Sequence, residues 1–279
     1  MMLLNESNEA YHANPAVSHS KLETFRRRPA LYYKRYITQD IKPEAPSAAF
    51  RIGSAGHTMI LEPNEWVNRY AIKPEGIDRR TKDGKERWAE FEMENLGKTI
   101  IDQEEAAQVN EMASAVRNHP LASMLLQDGQ PELSWRTTGK IALQCRTDWF
   151  NPHGCELSEG RGYVADIKTV ESLNTGEYGN FERSVFNFGY HRQAGFYLPL
   201  ITEIIGKSLF DFFFIAVEKV EPFGVAVYKL TDDAIAIGQE ETLTDLRRLV
   251  KCIETREWPN IEPTIRTLGV PSWYKGGAS

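Results

Sequence analysis

The residue types with the most chemical potential cluster between residues 141 and 169. If 141–151 form a strand, its two-residue period puts Gln144, Arg146 and Asp148 on one face and Leu143, Cys145 and Trp149 on the other. In the next candidate strand, 162–170, the same period sets Asp166 and Lys168 together, with apolar Ala165 and Ile167 opposite. Two neighbouring strands of this kind bring two carboxylates and an ammonium into one place. Such oxygen ligands suit Mg²⁺ or Mn²⁺, which keep several waters and need few carboxylates. A lysine beside the metal orients or deprotonates the attacking water and stabilises charge on phosphorus, so the chemistry served is phosphodiester hydrolysis. Taken alone, an Asp-x-Lys triplet is more commonly a solvated charge pair. Its company argues otherwise: Gly53-Ser54-Ala55-Gly56-His57 precedes the strands, and Gln193 and Tyr197 follow at the i,i+4 spacing that shares a helix face.

These residues need elements to hold them. From residue 131 onward, alternation of polar with β-branched and aromatic residues predicts strands over 132–138, 141–151 and 162–170. They are separated by Thr138-Gly139-Lys140 and by a Gly- and Pro-containing stretch. A helix is expected over 188–205, then strands over 209–218 and 225–230 joined at Glu221-Pro222-Phe223-Gly224, then a closing helix over 232–257. Before residue 131 the pattern is helical. A helix capped by serines opens at Ser18 and breaks at Arg28-Pro29, and a small-residue helix over 48–61 carries His57 and stops at Glu62-Pro63. A loop is expected over 73–85 and helices over 86–95, 103–118 and 120–127. Together these predict one domain over 1–279: a mainly helical part to 130, a core of sheet and helices over 131–257, and an irregular tail over 258–279.

Composition narrows the setting. The 279 residues, with 41% hydrophobic and 26% charged side chains, are ordinary for a globular chain and exclude a disordered or fibrous protein. The net charge of −6 argues against a surface that coats nucleic acid throughout, while leaving room for a local basic channel. Cys145, Cys155 and Cys252 are odd in number and lack CxxC spacing, which argues against disulfides, a zinc ribbon or a four-cysteine iron–sulfur cluster. A reducing cytoplasmic setting is expected. No basic start precedes an apolar run and no apolar stretch reaches membrane length, so neither export nor membrane insertion is expected.

GxxxH at 53–57, Asp148, Asp-Ile-Lys at 166–168 and QxxxY at 193–197, in that order, resemble the PD-(D/E)xK nuclease superfamily in its RecB-like branch. More narrowly, the opening YHANPAVSHSKLETFRRRPALYY and RIGSAGHTMILEP resemble the RecE-like exonucleases, the exodeoxyribonuclease VIII type of phage and prophage enzymes. The resemblance implies an α/β fold, a PD-(D/E)xK core with a central mixed β-sheet flanked by helices and a helical N-terminal region. It implies metal binding by His57, Asp148, Asp166 and the carbonyl of Ile167, with Lys168 as the catalytic lysine. Gln193 and Tyr197 match the pair beside the site that contacts DNA. The implied activity is Mg²⁺-dependent hydrolysis of linear duplex DNA from its ends, 5′ to 3′, with Mn²⁺ as substitute. It would serve phage-type recombination by single-strand annealing, beside a RecT-type annealing protein and as a toroidal homotetramer. Two rivals stand beside it: an endonuclease or RecB-like repair module of the same chemistry, and an inactive DNA-binding or scaffold protein with the same fold.

Other residues are read more plainly. Glu132, at the start of the first strand, is taken as a solvated strand residue, with a second metal or a supporting hydrogen bond as its alternative. Ser18, Ser20 and Lys21 are assigned to N-capping rather than to a terminal phosphate. Arg26, Arg27, Arg28, Lys34 and Arg35, interleaved with Tyr32, Tyr33 and Tyr36, form the best basic and aromatic patch for DNA, with a solvated helix face as an equal alternative. His119, His153 and His191 receive no role.

Overall fold

The computed structural model describes residues 2–4, 6–42, 47–173, 180–206, 210–265 and 267–270. In chain order these form β1 (Met2–Leu4), α1 (Asn8–Ala13), α2 (His19–Arg27), α3 (Pro29–Tyr32), α4 (Ala48–Leu61), α5 (Trp66–Arg69), β2 (Tyr70–Ile72), α6 (Lys82–Glu94) and β3 (Thr99–Ile101). Then follow α7 (Gln103–Asn118), α8 (Pro120–Leu125), β4 (Gln130–Arg136), β5 (Gln144–Asn151), β6 (Tyr163–Val170), α9 (Asn180–Asn187), α10 (Tyr190–Ile205), β7 (Asp211–Glu218), β8 (Val225–Lys229) and α11 (Asp232–Thr255). Short π and 3-10 turns lie between some of them.

The main sheet has the order β1-β4-β5-β6-β7-β8. It is mixed: β6 and β7 run parallel, while every other neighbouring pair is antiparallel. The parallel pair is central and buried on both faces, which is why Asp211–Glu218 reads as a nearly unbroken apolar run. One face presents Tyr163, Ala165, Ile167, Phe213, Ile215 and Val217 to a core shared with α4, α7 and α8. The other presents Val164, Phe212, Phe214 and Ala216 to a larger core built on α2, α10 and α11. Each Val, Ile or Phe among them contributes about 1.5–3 kcal/mol by leaving water, so the two cores hold the helices against the sheet without help from the site.

Most expected elements occupy their expected places, and the differences have local causes. Helix α6 begins at Lys82 rather than residue 86, because the Thr81 hydroxyl caps it by accepting from Gly84 N at 3.0 Å. Strands β2 and β3 form a separate parallel pair of three residues each, too short for alternation to register. Helix α9 was not expected, and the helix expected from residue 188 is α10, which opens at Tyr190 after Gly189 in the left-handed conformation. The strand expected to begin at Leu209 is described from Asp211, Leu209 itself lying outside the described residues, as do residues 271–279 of the tail. The described tail has no regular structure, yet Trp258 stacks on Tyr32 and Tyr33, and Ala30 N donates to Pro259 O at 3.1 Å. Among the described residues, no helix is long and apolar enough to cross a membrane.

Candidate active site

The site lies where two strands part. β5 and β6 pair from Asn151–Tyr163 to Trp149–Ala165, and the ladder ends there, while β6 stays paired with β7 as far as Val170. The next facing residues are Asp148 and Asp166. With no partner on β5, Ile167 donates its N–H to the Asp148 side chain, whose Oδ2 lies 2.8 Å away. An aspartate at this position therefore closes the ladder and fixes its own carboxylate in the gap.

Helix α4 brings His57 to the gap from one face of the sheet. It packs closely because Gly53 faces β6 and Gly56 lies between β6 and α7: a Cβ at Gly53 would lie 3.2 Å from Thr169 Oγ1, and one at Gly56 would lie 3.0 Å from Met112 Cε and 3.8 Å from Thr169 Cγ2. His57 Nδ1 then stands 3.4 Å from Asp148 Oδ2. Burial lowers the imidazole pKa to about 4, with Lys168 acting in the same sense and Asp166 and the Ile167 backbone opposing it. At neutral pH His57 is uncharged, the form in which an imidazole binds a metal.

From the opposite face α10 supplies Gln193. Its amide donates to Asp166 Oδ1 at 2.6 Å, and its carbonyl accepts from Lys168 Nζ at 3.0 Å. Lys168 is also ion-paired to Asp166, which is only 2% exposed. Burial works against the Lys168 charge, but Asp166 and Asp148 outweigh it and hold the ammonium above its ordinary pKa. The ammonium further lies over the Tyr190 ring, 4.5 Å from its centre. Tyr197, one turn beyond Gln193, packs its ring against Phe212 and Phe196. Burial first, then Tyr11, Cys145, Asp166 and Asp148, push its hydroxyl far above its ordinary pKa.

The structure thus gathers His57, Asp148, Asp166, Ile167, Lys168 and Gln193 into one cluster, with Tyr197 within electrostatic reach. Asp148 shows the tension in it: burial, Asp166 and Glu132 push its pKa well up, against Lys168 and the Ile167 N–H. A buried group of carboxylates under mutual repulsion, beside a neutral imidazole and a backbone carbonyl, is a donor set that fits a hard divalent cation.

Glu132 departs from its expectation as a solvated residue. Its side chain is 20% exposed, it is ion-paired to Arg146 Nε at 2.5 Å, and its carboxylate lies within 4.8 Å of ligand atoms of both His57 and Asp148. A hairpin centred on Lys140 sets residue 132 opposite residue 148, a register that the strand period alone does not give. Tyr190 was also missed, because an aromatic in an apolar helix looks like core.

The basic and aromatic patch is largely spent on the protein itself. Arg26 pairs with Glu241 and Asp245, and Tyr32 is buried and stacked on Trp258, which leaves Arg27, Arg28 and Lys34 exposed. Lys21 donates to the carbonyls of Asn14 and Ala16 at 2.7 and 2.9 Å, while Ser18 caps α2. Arg192 ties α10 down by two bonds to Glu23, at 2.6 and 2.8 Å, and one to Glu241 at 3.2 Å.

Comparison with known proteins agrees with this geometry. Residues 18–263 match the model of a family described as PDDEXK-like domain of unknown function, DUF3799. The fold is similar to the crystal structure of a candidate exonuclease from Eubacterium rectale, with a TM-score of 0.62 and 14% identity over 96% of each chain. At that identity the likeness is one of fold. No curated protein matches the chain.

Proposed function

The chain belongs to the PDDEXK-like domain family DUF3799, and hence to the PD-(D/E)xK nuclease superfamily, and from that premise we propose that it is a metal-dependent exonuclease of double-stranded DNA. The observation that carries the reading is the meeting of Asp148, Asp166 and Lys168 at the parting of β5 and β6, with His57 arriving from one face and Gln193 from the other. His57, Asp148, Asp166 and the Ile167 carbonyl would hold Mg²⁺, or Mn²⁺ in its place. Bound there, the cation supplies an activated water and neutralises charge on the phosphodiester.

The chain's own residues do the rest. Lys168, kept cationic by two carboxylates and oriented by Gln193 and the Tyr190 ring, stabilises the negative charge that grows on phosphate oxygens. Gln193 holds Asp166 and Lys168 in register with each other through opposite ends of one amide. Asp148 is fixed by the Ile167 N–H, so that its carboxylate need not reorganise. Tyr197 lies one turn beyond Gln193 on the same helix and is read as a DNA contact.

Substrate and setting follow the resemblance to RecE-like exonucleases. We read residues 1–279 as one nuclease domain acting in the cytoplasm on duplex ends, 5′ to 3′, as a toroidal homotetramer beside a RecT-type annealing protein. Linear duplex labelled at its 5′ or 3′ ends, incubated with Mg²⁺ beside closed circular duplex, tests this. Early loss of the 5′ label and an intact circle are expected. Cutting of the circle would favour the endonuclease, and inertness toward both would favour the scaffold.

A further inference from the structure

We propose that Phe188 is a stacking platform for a nucleobase, placed so that the base belongs to a nucleotide flanking the phosphate at Lys168. The proposal rests on reading this site as one that cleaves DNA, and adds a contact to the base where the residues above act on metal and phosphate.

The observation is a chain of contacts that leads out of the site. The ammonium of the largely buried Lys168 stands 4.5 Å from the centre of the Tyr190 ring, and that ring stands 5.8 Å from the ring of Phe188. Phe188 ends the chain in solvent, 56% exposed. A single exposed phenylalanine is ordinary, but one joined through a second ring to the ammonium of the site has a place in front of the reacting phosphate. The ring is also held there. Phe188 donates its N–H to Ser184 O at 2.9 Å, and Gly189 follows with φ of +75°, so near Arg192 that a Cβ would lie 2.2 Å from its Nη2. Arg192 is itself anchored on Glu23 and Glu241. An aromatic ring on a fixed turn loses little conformational freedom when a ligand covers it. In a nucleotide the base stands one sugar away from its phosphate, so a phosphate beside Lys168 carries its neighbouring bases toward a ring two contacts away. Every base has a π face, which makes such a platform tolerant of sequence. To lie on it, the base must leave its own stack, and this directs the site toward a strand end with unpaired terminal nucleotides. Phe186, at the end of α9, is 55% exposed but packs on His191, with ring centres 4.9 Å apart, and so serves as the control.

Binding of linear duplex, followed by anisotropy with Ca²⁺ in place of Mg²⁺, tests this on three ends: intact, or with the two terminal nucleotides of the 5′-ended or of the 3′-ended strand made abasic. Phe188→Ala should weaken binding to the intact end about tenfold, and to one of the abasic ends less than about twofold, since its stacking partner is already gone. Phe188→Trp and Phe186→Ala should both bind the intact end as wild type does. Phe188→Ala within about twofold of wild type on the intact end overturns the proposal, as does the same weakening on all three ends or an equal weakening by Phe186→Ala. Should Phe188→Ala melt well below wild type, Phe188→Leu is judged by the same comparison. Sedimentation of these variants reads the other use of an exposed ring: assembly lost with DNA affinity unchanged assigns Phe188 to a contact between copies of the chain and overturns the proposal. A wild-type protein that binds no DNA overturns both this proposal and the nuclease reading. One that binds DNA but does not hydrolyse it with Mg²⁺ or Mn²⁺ overturns the nuclease reading alone, and Phe188 is still judged by the binding comparison.

Discussion

Lys168 and Asp166 are each other's charge partner, and this decides what their substitution does. Lys168→Ala leaves a carboxylate that is 2% exposed with no cation beside it, a loss of about 3–5 kcal/mol for a buried pair. Lys168→Gln can still donate to Asp166 and should melt closer to wild type while lowering hydrolysis by a factor on the order of 10² or more. Melting and cleavage measured on both variants check this, and equal melting would contradict the pairing. Asp148 gives a pH dependence. Its folded pKa is raised by burial, Asp166 and Glu132, so the stability tied to its proton is present below the ordinary carboxylate pKa and is lost as pH rises through the folded value. His57, lowered to about 4, acts oppositely: its share is present above its ordinary value and lost as pH falls through about 4. Both proteins keep His57, so comparing wild type with Asp148→Asn reads the titration of Asp148 together with that of the groups it contacts. Without metal, the variant should gain stability relative to wild type as pH rises above the ordinary carboxylate range, and a gap that does not vary with pH would refute the assignment.

At the scale of elements, the position of Gln193 depends on how α10 meets α11. The two helices cross at Gly195 and Gly238, where a Cβ at Gly238 would lie 2.1 Å from the His191 carbonyl oxygen. Gly238→Ala must push α10 away, and with it the amide that spans Asp166 and Lys168. A loss of about 1–3 kcal/mol, as for an overpacked core, is expected with a fall in rate. Gly269→Ala, with nothing within 4 Å, is the control and should stay within about 0.5 kcal/mol. Strands β5 to β7 and helices α4, α7 and α10 were legible in the sequence because their apolar periods run for many residues. The relation of Asp166 to Lys168 was legible for the same reason, through the strand period. What the period does not carry is register. That Glu132 faces Asp148, and that Asp148 caps a broken ladder, depends on where a hairpin turns and where two strands part. The basic and aromatic patch is narrower than its sequence suggests for a related reason: Arg26 and Tyr32 find partners in Glu241, Asp245 and Trp258, more than two hundred residues away in sequence.

For the whole molecule, a net charge of −6 means that the DNA substrate proposed above would have to be held locally and against a general repulsion. Arg27 and Arg28 remain exposed after the internal ion pairs are counted. Changing both to Ala should weaken DNA binding equally across sequences and reduce the salt slope by about one ion per lost contact, with Ca²⁺ in place of Mg²⁺ to prevent cleavage. Parallel slopes would assign both residues to a solvated face. The double-sided burial of β6 and β7 makes the sheet a rigid base for the site, which both families of helices reach from opposite faces. Release of acid-soluble nucleotides from linear duplex DNA, followed for wild type and Lys168→Gln with Mg²⁺ and after chelation, tests hydrolysis at this site most directly. Metal-dependent release by wild type, abolished by chelation and reduced on the order of 10²-fold or more in a folded Lys168→Gln, is the predicted result. No release with either Mg²⁺ or Mn²⁺, or equal release by the two proteins, would contradict it.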